Sequence, residues 1–125
     1  MKKSYKILIV EDDIKLQKVL NDKIVREGWK VAVAVDGEEG IRRIEESRPD
    51  LVLLDIRMPR MNGFEMLEAV RKKYGRKELP VVVLTNYGEA DNVSRAVELQ
   101  AEAFMVKSDH SLDEVVGKIN NILSK

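Results

Sequence analysis

Five short apolar runs alternate along the chain with longer stretches in which apolar residues return every three or four positions. The runs occupy 6–10, 30–34, 51–54, 81–84 and 103–106. In the first, third and fourth, Val, Ile and Leu follow one another almost without a break, as in strands covered on both faces. The stretches of helical period predict helices near 14–27, 37–47, 63–74, 90–100 and 112–124. The last is the clearest, with Leu112, Val115, Val116, Ile119, Ile122 and Leu123 on one stripe. Ser111 with Glu114 makes a capping box at its start, and Asp36 with Glu39 and Asn62 with Glu65 open two others. Gly28 and Gly75 fall where helix C-caps are expected, and Pro49 and Pro80 just before strands, where a missing N–H is tolerated. Five strand–helix units in succession imply one parallel sheet with right-handed crossovers and helices on both faces.

Four of the apolar runs stop at residues able to handle phosphate or a cation. Ile7-Leu8-Ile9-Val10 meets Glu11-Asp12-Asp13, and Leu51-Val52-Leu53-Leu54 meets Asp55. Val81-Val82-Val83-Leu84 meets Thr85, and Ala103-Phe104-Met105-Val106 meets Lys107. In a parallel sheet these groups converge at the carboxyl edge, where open α/β sheets bind ligands. A carboxylate can attack phosphorus without a general base, being ionised at neutral pH. The obstacle is repulsion between two anions. A divalent cation on hard oxygen ligands relieves it, and a Lys with hydroxyl or N–H donors takes up the remaining charge.

Composition narrows the classes. The chain has 125 residues, 44% hydrophobic and 35% charged, which fits one globular domain. Its 22 basic and 22 acidic residues cancel, so no overall charge favours nucleic acid. With no Cys there is neither a disulfide framework nor a thiolate site. Met1-Lys2-Lys3-Ser4-Tyr5 leads straight into the first strand without a signal-peptide stretch, and no run approaches membrane-spanning length. A cytoplasmic domain with no membrane insertion is the expectation. No linker or repeat is visible, and residues 1–125 are expected to form one domain without an attached output domain.

These residues resemble the receiver domain of two-component response regulators, in its single-domain, chemotaxis-regulator-like form. The resemblance runs through Ile7 to Asp13, the string Asp55-Ile56-Arg57-Met58-Pro59-Arg60-Met61-Asn62-Gly63, then Leu84-Thr85, then Phe104-Met105-Val106-Lys107. It implies a flavodoxin-like five-stranded parallel sheet in the order 2-1-3-4-5. It also implies that Asp55 is the phosphoacceptor and that Asp12 binds Mg²⁺ directly, Glu11 through water, and Arg57 through its backbone carbonyl. Thr85 and Lys107 would each hold a phosphoryl oxygen, and Phe104 would stand at the switch position coupled to Thr85. The implied donor is a histidine kinase, a phosphotransfer protein or a small phosphodonor. The implied output is a changed surface on the fourth helix, fifth strand and fifth helix, which binds a downstream protein or a second copy to form a homodimer. Such a protein catalyses only its own aspartyl phosphorylation and dephosphorylation, and contacts no nucleic acid directly.

Other readings stand beside these. Asp13 and Asp36 suit helix caps, His110 a surface loop, and Trp29 the end of the sheet after the first helix. Phe104 is equally a core aromatic, and Arg71-Lys72-Lys73 with Arg76-Lys77 a solvated helix end. The sequence also departs from the receiver pattern. Ser108 follows Lys107 where Pro with a cis bond is usual, so a trans bond is expected here. Gln100 replaces the Gly usual before Ala101, at a turn that favours a left-handed residue. Asn86 stands where a small residue is common, and Arg57 and Tyr87 flank the expected phosphate as modulators of its lifetime. The alternative function is a phosphorylation-independent interaction or scaffold module on the same fold. A phosphatase of the haloacid-dehalogenase type would need a second Asp where Arg57 stands.

Overall fold

In the computed structural model, residues 4–124 are described, and the Met1-Lys2-Lys3 stretch lies outside them. The strands are β1 (Lys6–Val10), β2 (Lys30–Ala34), β3 (Leu51–Leu54), β4 (Val81–Thr85) and β5 (Ala103–Val106). Between and after them run α1 (Ile14–Val25), α2 (Gly37–Glu46), α3 (Gly63–Lys73), α4 (Ala90–Glu98) and α5 (Leu112–Leu123). All pairings are parallel and the order is β2-β1-β3-β4-β5, as the alternating pattern implied.

Burial follows position in the sheet. β3 and β4 are buried throughout, and β1 at every residue after Lys6. The edge strands β2 and β5 are only partly covered, consistent with their more mixed sequences. One face of the sheet packs Ile7, Ile9, Leu53 and Val82 against α1 and α5 through Leu20, Ile24 and Ile119. The other packs Leu8, Val10, Val52 and Leu54 against α2 and α3 through Ile44, Met66, Leu67 and Val70. Trp29 is buried at the sheet end and meets Tyr5 edge to face, with ring centroids 6.3 Å apart.

The helices stop one or two residues short of the predicted limits, for local reasons. After α1, Gly28 takes φ +87° and turns the chain into β2. After α4, Gln100 takes φ +63°, the left-handed turn expected of its position although the side chain is not glycine. Gly75 differs from expectation. α3 ends on Tyr74 in an extended conformation, so Gly75 closes no left-handed cap, and its amide is held by Glu78 at 3.0 Å. The capping boxes at Asn62–Glu65 and Ser111–Glu114 are complete. At α2 the Asp36 side chain caps Glu39, while the Glu39 side chain takes the Val35 amide instead of that of Asp36.

Candidate functional site at the carboxyl edge of the sheet

Strand register brings the acids together. Val10 pairs with Leu54, so Glu11 and Asp55 are the next residues on adjacent strands. Thr85 ends β4 opposite Val106 of β5, which puts Lys107 one step beyond. The side chain of Lys107 crosses back to β1 and β3. Its Nζ lies 2.8 Å from Glu11 Oε1 and 3.0 Å from Asp55 Oδ2. The other oxygen of Asp55, Oδ1, accepts the Ile56 amide at 2.7 Å and the Arg57 amide at 3.4 Å. A single aspartate is thus held by one ammonium and two backbone donors.

Burial shapes the charges. Glu11 and Asp55 are 3% and 6% exposed, whereas Asp12 faces solvent. Burial pushes the Glu11 carboxyl up to about 7, although the Lys107 ammonium and the Asp13 amide pull it back. Burial also works to lower the Lys107 ammonium, but its contacts with Glu11 and Asp55 outweigh that and hold it above its ordinary value. Oxygen atoms of Glu11, Asp12 and Asp55 all lie within 4.8 Å of one another. Three hard oxygen donors at that spacing suit Mg²⁺.

The remaining predicted residues surround this centre. Asp13 caps α1, accepting the Lys15 and Leu16 amides. Thr85 is fully buried, and its Oγ1 accepts the Tyr87 amide at 3.2 Å, leaving the hydroxyl proton for another acceptor. Asn86 is exposed at the start of the following loop. Arg57 is exposed and lies over the Tyr87 ring, its guanidinium carbon 3.8 Å from the centroid. Phe104 is partly buried and packs with Ile56, Val83 and Ala96. Ser108 sits in a 3₁₀ turn, Lys107–Asp109, and among the described residues no peptide bond is cis.

Three contributors escaped the sequence reading. Gln17 is buried, and its Nε2 donates to the carbonyls of Glu11 and Ala34, fixing the turn that carries the acids. Arg60 adopts φ +63° and pairs with Asp36. Arg71, read as part of a solvated helix end, instead donates to the carbonyls of Tyr74, Gly75, Leu79 and Gln100. None shows in an apolar pattern, because each is a polar side chain whose partner is a backbone carbonyl or, for Arg60, the Asp36 carboxylate.

Comparison with known proteins agrees with this geometry. The response regulator receiver domain family matches residues 7–120. The chain is 34% identical over 118 residues to sporulation initiation phosphotransferase F of Bacillus subtilis, covering 94% of this chain and 93% of that protein. It is 34% identical over 101 residues to the transcriptional regulatory protein AfsQ1 of Streptomyces coelicolor, covering 81% of this chain and 44% of the relative. It spans about half the length of several transcriptional regulators that it matches. A CheY-like receiver domain from Methanospirillum hungatei superposes with a TM-score of 0.90 at 29% identity, covering 98% of this chain and 95% of that one. The chain therefore belongs to the response regulator receiver domains, the phosphoryl-accepting signalling modules of two-component systems.

Proposed function

We propose that Asp55 accepts a phosphoryl group from a histidine kinase, a phosphotransfer protein or a small acyl phosphate. The observation that carries this reading is the double tether of Asp55. Its Oδ1 is fixed by backbone amides while Oδ2 meets the Lys107 ammonium. A carboxylate held in this way is oriented before the donor arrives. An Asp55 oxygen forms the new bond to phosphorus as the bond from phosphorus to the donor's nitrogen or oxygen breaks.

Glu11, Asp12 and Asp55, with the Arg57 carbonyl, are the residues that would hold Mg²⁺. The ion would supply positive charge between the attacking and transferring groups. Lys107 would exchange a carboxylate partner for a phosphoryl oxygen, and the Thr85 hydroxyl would donate to another. Hydrolysis of the same acyl phosphate by water returns Asp55, so the protein acts only on itself.

The signal would leave through Thr85 and Phe104. A shift of Thr85 toward the phosphoryl group changes the space beside Phe104, whose ring packs under α4 with Ala96. The α4–β5–α5 face would then change its affinity for a downstream protein or for a second copy. This is a shift between two existing populations.

Intact mass after incubation with acetyl phosphate and Mg²⁺ tests the proposal. One phosphoryl adduct that needs Mg²⁺ and vanishes in Asp55→Ala is expected. No adduct, together with no Mg²⁺ binding, would favour a phosphorylation-independent interaction module instead.

A further inference from the structure

One nearly buried carboxylate has no part in the chemistry above. Asp36 is 4% exposed and stands at the N-cap of α2. Its Oδ1 accepts the Glu39 amide at 2.8 Å, an ordinary capping bond. Its Oδ2 is engaged in a way no cap requires. Arg60 Nε donates to it at 2.6 Å, and Nη2 of the same guanidinium meets the same oxygen.

Arg60 lies in the loop between Asp55 and α3, with its backbone at φ +63°. That region is unfavourable for a residue with a Cβ and persists where surrounding contacts over-determine it. The adjoining backbone supplies a second contact. Gly37 N donates to the Met61 carbonyl at 2.9 Å, and a Cβ on Gly37 would stand 2.7 Å from that oxygen. Only glycine allows so close an approach. The far end of the loop closes on its own start, where Gly63 N donates to the Ile56 carbonyl at 3.0 Å. Between these fixed points runs the stretch that delivers the Ile56 and Arg57 amides to Asp55 and lays Arg57 over Tyr87.

We propose that Asp36 and Arg60 form a latch that clamps the loop 56–61 onto the start of α2 and so sets the lifetime of the phosphoryl group on Asp55. Both are positioning residues, since neither touches the reacting atoms. The proposal rests on the reading of Asp55 as phosphoacceptor. With the latch open, the two amides lose their fixed bearing on the Asp55 carboxyl and the Arg57–Tyr87 cover loosens. Water then reaches the acyl phosphate more often, and the phosphoryl group is lost faster.

Two mild variants separate the latch from the fold. Asp36→Asn keeps a good N-cap acceptor but loses the charge, and Arg60→Gly accepts the left-handed backbone without the guanidinium. Together with the double variant they close a mutant cycle. Two quantities are read at fixed Mg²⁺: the first-order loss of the phosphoryl adduct, and amide hydrogen exchange over residues 56–61. Each single variant should speed loss about three- to tenfold, and the double variant should lose phosphate no faster than the faster single. Exchange should rise in 56–61 but not in β1 or β4. A purely structural role would lower the melting temperature and leave the loss rate unchanged, which overturns the proposal, as would additive effects in the double variant. If the parent protein forms no adduct and binds no Mg²⁺, the Asp55 reading falls and takes the lifetime claim with it. Unchanged loss rates in a parent that does form the adduct overturn the latch alone.

Discussion

The ammonium of Lys107 lies 3.0 Å from Asp55 Oδ2 and, at the same time, 2.8 Å from Glu11 Oε1. One cation therefore separates two buried carboxylates that strand register has made neighbours. Replacing it by Lys107→Met leaves the acids facing each other and pushes the Glu11 carboxyl above its value of about 7. The metal-free variant should lose about 1–3 kcal/mol of stability. Mg²⁺ should restore most of that, because a cation again stands between the carboxylates. Denaturant melts with and without Mg²⁺ check this; an equal loss in both would contradict it.

The stack of Arg57 on Tyr87 ties the loop after β3 to the loop after β4, beside Asp55 and Thr85. Tyr87→Ala removes the ring, and the Arg57 side chain is then free to leave the site. Loss of the phosphoryl group should accelerate several-fold, and the melting temperature should fall as well, because the half-buried Tyr87 also packs on the cluster of Ile56, Val83 and Ala96. Time courses of adduct decay read this directly. A slower decay would show that the pair admits water instead of screening it.

Asp36 makes stability depend on acid. Its carboxyl is held below the ordinary value of 3.8, first by the Glu39 amide and further by Arg60. A lowered folded-state value adds stability above the unfolded value, and that stability is lost as pH falls through the folded one. The parent should therefore exceed Asp36→Asn in stability at neutral pH, and the gap should narrow below about pH 4. Urea midpoints across that range measure the gap; one that stays constant would mean the carboxyl is not held as described.

Arg71 and Gln100 form a structural pair at the opposite end of the sheet. The guanidinium holds the Gln100 carbonyl through Nε at 3.1 Å and Nη2 at 2.9 Å, while Gln100 keeps φ +63°. Gln100→Gly should gain roughly 0.5–1 kcal/mol by relieving the left-handed Cβ. Arg71→Ala should lose about 2 kcal/mol through the freed carbonyls. Thermal melts distinguish the two signs.

The elements and their order were legible because buried parallel strands write themselves as unbroken Val, Ile and Leu. Strand ends were legible too, since the polar groups gathered at the carboxyl edge follow where such a run stops, at Glu11, Asp55, Thr85 and Lys107. The limits of α1 and α4 were less clear, because the chain turns on backbone conformation at Gly28 and Gln100, and apolar period says nothing of that. Gly75 misled, as Tyr74 leaves α3 in an extended conformation that needs no glycine. Arg60, Arg71 and Gln17 were hidden for one shared reason. Their partners are the Asp36 carboxylate or backbone carbonyls both near and far along the chain, and a polar residue on a loop or helix does not announce which it will find.

The most direct test of the account is to locate the phosphoryl group. Borohydride reduces an aspartyl phosphate to homoserine, so peptide mass mapping after reduction marks the residue that carried it. The account predicts homoserine at position 55 alone, formed only when Mg²⁺ and a phosphodonor were present. Homoserine at position 12 or 13, or a borohydride-resistant phosphate on a hydroxyl side chain, would contradict it.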